Sequence, residues 1–195
     1  NNKNSRVQIT YAEFMEGYFE NLTSLDRGFY GCNKLVEIKN IPNSVQNLDN
    51  CFRECRALTK VILPENVTSL YYAFYLCESL NMEFDLSAYV NLGTAGLNST
   101  WYHCTSLTYT PILPTNYTGS LQGAFQGTKI TTAPVIPDGV TSLQNAFQNC
   151  TELTTVGNIP SSCNNYSQTF QNCPKLTSVP ESGWKGNMRY TFYGC

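Results

Sequence analysis

Charge is scarce in this sequence. Twelve lysines and arginines stand against 14 aspartates and glutamates in 195 residues, a net charge of −2, and charged side chains are 13 % of the chain, about half the share usual in soluble domains. With no surplus of cations to neutralise phosphates, nucleic acid is not an expected partner. There is one histidine, His103, and no Cys-x-x-Cys pair or His/Cys cluster, so no metal centre or cofactor site is expected. A nucleophile elbow, a phosphate-binding loop and a paired set of carboxylates are missing too, so nothing points to an enzyme. From Leu86 to Thr128 there is no charged residue. That stretch is nevertheless rich in Thr, Ser, Asn, Gly and Pro and lacks the ~18 consecutive apolar residues of a membrane-crossing helix. The opening Asn1-Asn2-Lys3-Asn4-Ser5 has neither an initiating Met nor the order of a signal peptide, and it reads as a mature or trimmed product whose leader, if any, is missing. Hydrophobic residues at 42 % and aromatics at 13 % exclude disorder.

What is present is repetition. Large aromatics recur at Phe29, Phe52, Phe74, Trp101, Phe125, Phe147, Phe170 and Phe192, at intervals of 23, 22, 27, 24, 22, 23 and 22. Three residues after each comes Cys32, Cys55, Cys77, Cys104, Thr128, Cys150, Cys173 or Cys195. Four residues before each sits Leu25, Leu48, Leu70, Leu97, Leu121, Leu143, Tyr166 or Met188, and the residue just before each aromatic is always small. Each unit reads Leu-x-x-Val-x-Ile-Pro-x-x-Val-Thr-x-Leu-x-x-Ala-Phe-x-x-Cys. The alternation Val61/Leu63 has the period of a short strand with one buried face, and Pro64 ends it for want of an N–H. The spacing of Leu143 to Phe147 changes to three and four and predicts one short helical or 3₁₀ turn. A unit of this size cannot bury its own apolar side chains, so it must stack on its copies. The expected fold is a repeat solenoid of α/β type with about eight coils of ~23 residues, a parallel sheet on one face and short helical turns on the other.

These residues resemble the BspA-like class of bacterial leucine-rich repeat. The signature Ala-Phe-x-x-Cys-x-x-Leu, followed by an Ile-Pro-x-x-Val step, is carried by Ala146-Phe147-Gln148-Asn149-Cys150-Thr151-Glu152-Leu153 with Ile159-Pro160, and by Ala73 through Leu80 with Val67. The resemblance spans about Leu22 to Cys195. It implies a right-handed, curved solenoid exported to the cell surface, of a kind linked to adhesion to host proteins or to other cells.

Several units depart from the pattern. Thr128 replaces the column cysteine, and the interval from Phe74 to Trp101 is four or five residues too long. Residues 1–24 carry Phe14, Tyr18 and Phe19 out of phase. They are expected to form an N-terminal cap, with a short helix from Tyr11 to Phe19, ahead of a single solenoid domain at 25–195. The nine cysteines fall in inward columns, where free Cys behaves as a small hydrophobe; a bridge between stacked neighbours remains geometrically open. His103 lies in a column that tolerates many residue types and is expected at the surface.

A partner would meet the outward strand positions. The position after the buried Leu holds Thr108, Thr131 and Thr154 among others, and the next holds Tyr109, Thr132 and Thr155. Threonine suits an exposed strand on propensity alone, and it also offers a polar, uncharged face for sugars or peptide groups. Tyr109 is the best anchor on it. Residues 1–85 hold 19 of the 26 charged side chains, so the neutral remainder is the better place for an interface centre, beside the insertion that carries Tyr89. The expectation is an extracellular or cell-surface solenoid, without catalysis, cofactor or metal, that binds a protein or glycan of a host or neighbouring cell. The alternative is a passive scaffold or spacer of a larger surface protein.

Overall fold

The computed structural model describes residues 9–181 and 183–195. Its chain is a stack of coils in which every unit bonds to the next. Strand structure is sparse: β1 (Tyr11–Glu13) pairs in parallel with β2 (Glu37–Lys39). The remaining pairing consists of isolated parallel bridges such as Glu37↔Lys60, Asp85↔Ile112 and Thr132↔Thr155. The helix expected from Tyr11 to Phe19 is absent, and a strand occupies its start. The alternating exposure of Tyr11, Ala12 and Glu13 has the period of a strand, and β2 offers a free edge for it. Ala12 and Phe14 pack on the core from there.

Each coil has two arms enclosing the core, a strand arm (Leu58 to Leu63 in one coil) and a turn arm (Leu70 to Cys77). The turn arm is where the expected helical turns should lie, and among the described residues there is no helix. Taking the arm around Phe29, Gly28 N donates to Leu25 O, Tyr30 N to Arg27 O and Cys32 N to Phe29 O, each a bond across three residues. The intervening donors turn outward along the stack: the N–H groups of Leu25, Arg27, Phe29 and Gly31 donate to the carbonyls of Asn47, Asp49, Cys51 and Arg53 at 2.8–3.0 Å. A helix would need those donors for itself.

The backbone that permits this has one rule. The residues two before and two after each aromatic have positive φ, from Arg27 (56°) and Gly31 (74°) to Tyr190 (55°) and Gly194 (76°), at all eight aromatic positions. Left-handed residues reverse the chain between consecutive turns, and Gly and Asn do so at least cost. This explains why the position after next from the aromatic holds Gly31, Gly127, Gly194, Asn149 and Asn172.

Between the arms lies one continuous core. Phe52, Phe74, Trp101, Phe125, Phe147 and Phe170 are fully buried. Adjacent rings lie face to face, with centroids 5.6 Å apart for Phe52–Phe74, 5.2 Å for Trp101–Phe125 and 5.3 Å for Phe125–Phe147. Where the long interval intervenes, Phe84 is inserted between Phe74 and Trp101, 5.2 and 5.4 Å from them. The extra residues therefore enlarge the core as well as the loop. Seven of the nine cysteines are buried, Cys51 and Cys163 in neighbouring columns among them, and all nine thiols are free. Cys55, Cys77, Cys104, Cys150, Cys173 and Cys195 each donate S–H to the carbonyl of the preceding coil's aromatic, at 3.0–3.1 Å. Cys195 is exposed and Cys32 half-buried, because their coils are stacked less completely. In the small column, Thr100, Thr169 and Thr191 donate to Leu70 O, Leu143 O and Tyr166 O of the coil before.

Candidate functional site

On the strand arm the ladder is incomplete, and that creates a site. Thr110-Pro111-Ile112-Leu113-Pro114 and Ala133-Pro134-Val135-Ile136-Pro137 occupy neighbouring coils. Pro111 and Pro134 have no N–H to give a neighbour. Among the described residues no backbone hydrogen bond joins 110–113 to 133–136; Thr110 Oγ1 reaches Thr132 O instead, at 2.7 Å. The coils part into a cleft of ≈ 570 Å³. Buried Pro111, Leu113, Pro134 and Ile136 form its floor, while Ile112 (55 % exposed) and Val135 (80 % exposed) stand open to solvent. Asn158 holds one end, its amide donating to Ile136 O at 2.8 Å while its oxygen accepts from Ile136 N at 3.0 Å. Asp138 is the one charged residue of the lining. Large apolar side chains kept in water beside a preformed cleft suit a binding surface.

The threonine face runs alongside. Thr108, Thr131, Thr132, Thr154 and Thr155 are all exposed, and Tyr109 is 47 % exposed next to Thr110 of the cleft. Part of the hydroxyl row is committed to the fold: Thr108 Oγ1 lies 3.0 Å from Asn81 Oδ1, and Thr154 Oγ1 donates to Thr131 O at 2.9 Å. Thr132 and Thr155 are bridge partners, with Thr155 Oγ1 3.1 Å from Thr154 Oγ1. Tyr89 does not join them. It packs half-buried against the core and lines a separate hollow with Ile62, Phe84 and Leu86, where burial pushes its hydroxyl above the usual tyrosine range.

The cleft's apolar residues escaped the sequence reading. Their signal is a proline three residues ahead of the corner proline, which these two units share and no other unit has. His103 is half-buried rather than at the surface: it takes a positive φ of 54° and tilts against Tyr102 at 4.6 Å, and burial lowers its pKa. Among the described residues no group of three or more His, Cys, Asp or Glu could hold a metal, and no helix is long and apolar enough to cross a membrane.

A family model for the BspA type leucine rich repeat region matches in six copies, over residues 9–92 and 94–195. No curated protein matches the sequence. Among solved structures, a leucine rich repeat protein of T. pallidum superposes with a TM-score of 0.64 at 24 % identity, covering 87 % of this chain and 79 % of that one. A leucine rich cell surface protein of Faecalibacterium prausnitzii A2-165 gives 0.53 at 22 % identity, with 76 % of this chain covered but 47 % of that chain.

Proposed function

Because the chain belongs to the BspA-type leucine-rich repeat family, we propose that it is a non-catalytic recognition solenoid of about eight right-handed coils that works outside the cell or on its surface and grips a protein of a host or neighbouring cell. Leucine-rich repeat domains generally bind proteins, and one structural relative is named as a cell surface protein. The observation that carries the reading is the cleft between Ile112 and Val135, an apolar slot flanked by neutral hydroxyls in the part of the chain poorest in charge. An apolar side chain of the partner would fill the slot and Tyr109 would close over it, with the threonines at 131, 132, 154 and 155 as the polar rim. That is the usual anatomy of an interface, an apolar centre within a hydrogen-bonding border. Residues 1–24 would cap the first coil of the array.

Capture of surface-labelled proteins from host epithelial cells, followed by mass spectrometry, tests this. The wild-type chain should retain a defined protein that Ile112→Glu with Val135→Glu loses and that Tyr109→Ala weakens. Retention unchanged by all three substitutions would remove the cleft from the reading. No retained protein at all would leave the passive scaffold as the better account. The uncommitted hydroxyls favour a glycan on the same face as a second reading, and a neutral-glycan array sensitive to Thr132→Val and Thr155→Val would bring it forward.

A further inference from the structure

We infer that the turn arm carries a second site, one that takes an anionic glycan: a sugar chain bearing carboxylate or sulfate groups. It lies in the charge-rich half, on different residues from the cleft. There the outward column of the turn arm reads Tyr30, Arg53, Tyr75, Tyr102 in successive coils. The guanidinium of Arg53 sits between Tyr30 and Tyr75, 5.6 and 4.4 Å from their ring centroids, and Tyr72 adds a third ring at 5.3 Å. Tyr75 in turn stacks on Tyr102 at 4.3 Å, with the planes 4° apart. Beside this pile is an open depression of ≈ 550 Å³ lined by two guanidiniums (Arg27, Arg53) and four phenols (Tyr71, Tyr72, Tyr75, Tyr102), and by no carboxylate.

The donors of Arg53 are poorly used by the fold. Its Nε is buried without a hydrogen-bond partner, and Nη1 reaches only Asn50 Oδ1 at a long 3.5 Å. The nearest carboxylate oxygen, on Glu54, is 3.9 Å from Nε and already accepts the Tyr30 hydroxyl at 3.0 Å. Arg27 touches Asp26 at 3.3 Å and remains largely exposed. Asp49 is occupied by the Ser69 hydroxyl and Tyr71 N. Aromatic faces hold a guanidinium flat and partly dry, but they supply no acceptor. A planar or tetrahedral oxyanion in the depression would supply that acceptor to the outer guanidinium nitrogens of Arg53. Burial raises the Tyr71 and Tyr75 hydroxyls above their usual range, which keeps them protonated as donors around the anion.

Two features favour a sugar over an acidic peptide. The backbone N–H groups of Asn50, Phe52, Tyr72 and Phe74 are all spent on the coil-to-coil ladder, so an extended peptide finds no main chain to pair with. Tyr71 also leaves the stack: its ring is turned 66° from Tyr72, 4.5 Å away, and is 37 % exposed. A free phenol face beside hydroxyl groups suits the C–H face of a pyranose.

Calorimetric titration of the full chain tests the inference with four probes: a chondroitin sulfate hexasaccharide, an oligogalacturonate hexamer, cellohexaose and hexaglutamate. The sulfated and carboxylated sugars should bind, and the neutral sugar and the peptide should bind at least about tenfold more weakly. Arg53→Lys, which keeps the charge and loses the fork, should weaken the sulfated sugar by about tenfold. Arg27→Gln and Tyr71→Ala remove side chains exposed at the surface, and each should weaken it by about three- to tenfold. Ile112→Glu should leave it unchanged, so failure here and failure of the cleft are separate results. Equal binding of cellohexaose, tighter binding of hexaglutamate, or full affinity in Arg27→Gln and Tyr71→Ala would each overturn the assignment.

Discussion

The two arms of a coil solve the same stacking problem differently. The turn arm is nearly uniform: the pair of left-handed residues recurs at all eight aromatics, the outward N–H bonds recur between coils, and six coils share the same thiol bond. The strand arm has one three-residue strand pair, scattered bridges and a cleft where two prolines interrupt it. Stability is concentrated on the first arm, and that releases the second to vary its outward residues. Variation is what recognition requires, since an identical row of side chains can offer a partner no unique place to dock.

The largest expected effect attacks the turn arm as a whole. Burial pushes the thiols of its cysteines up, Cys150 to about 11 and Cys55 to about 12, and raises Cys51, Cys77, Cys104 and Cys173 as well. A folded-state pKa above the unfolded value of 9.0 means that the stabilisation is complete below that pH. It is lost as pH rises from there through the folded value, because the unfolded chain ionises first. Urea midpoints should hold steady to about pH 9 and then drop steeply, with cooperative unfolding by about pH 11–12. A midpoint flat to about pH 11 would mean that the thiols face water.

Phe147→Ala comes next. Its ring is fully buried between Phe125 and Phe170, at 5.3 and 5.6 Å, so truncation opens a cavity on two coils and should cost roughly 3–5 kcal/mol in denaturant unfolding. A loss under about 1 kcal/mol would show that the coils can collapse around a gap and that the stack is looser than its geometry.

A pair of glycines then separates the arms directly. Gly127, on the turn arm, has φ of 73°, and a Cβ there would meet the His103 ring at 3.1 Å. Gly127→Ala should destabilise by about 1–2 kcal/mol. Gly157, on the strand arm, has ordinary φ and nothing within 4 Å of a Cβ. Gly157→Ala should be neutral or stabilising by up to about 1 kcal/mol, through the unfolded chain. Equal effects at the two sites in thermal melts would erase the distinction.

The arms also differ in how far the sequence discloses them. The inward columns were legible because packing against copies restricts residue type: from Phe52 to Phe170 the aromatic, Leu, small and thiol rows lie inward, while Met188, Phe192 and Cys195 of the last coil are exposed. The helical turn was misread because a spacing of three and four fits successive reverse turns as well as a helix. Only the Gly and Asn at positions 31, 127, 149, 172 and 194 hinted at left-handed backbone, and Glu54, Leu76 and His103 in the same column obscured it. Of the candidate face, Tyr109 and the threonines at 108, 131, 132, 154 and 155 are exposed, both members of each consecutive pair, which a period of two does not predict, while Tyr89 packs inward because its hollow at Ile62 and Phe84 accepts a ring. The cleft depends on two prolines lying side by side in adjacent coils, and the stack that aligns them is a property of the fold.

The smallest effect on stability should accompany the largest effect on binding. Ile112 and Val135 are 55 % and 80 % exposed and make no ladder bond across the cleft, so replacing either by Glu removes little buried area and no hydrogen bond. Each should move the unfolding free energy by no more than about 0.5 kcal/mol, the range of ordinary surface changes. The same carboxylate at the mouth of an apolar slot would have to be desolvated by an incoming side chain, which costs a partner far more than the fold. If Ile112→Glu instead destabilised the chain by about 2 kcal/mol, the cleft walls would be core that happens to be visible, and the strand arm would share the structural burden assigned to its counterpart.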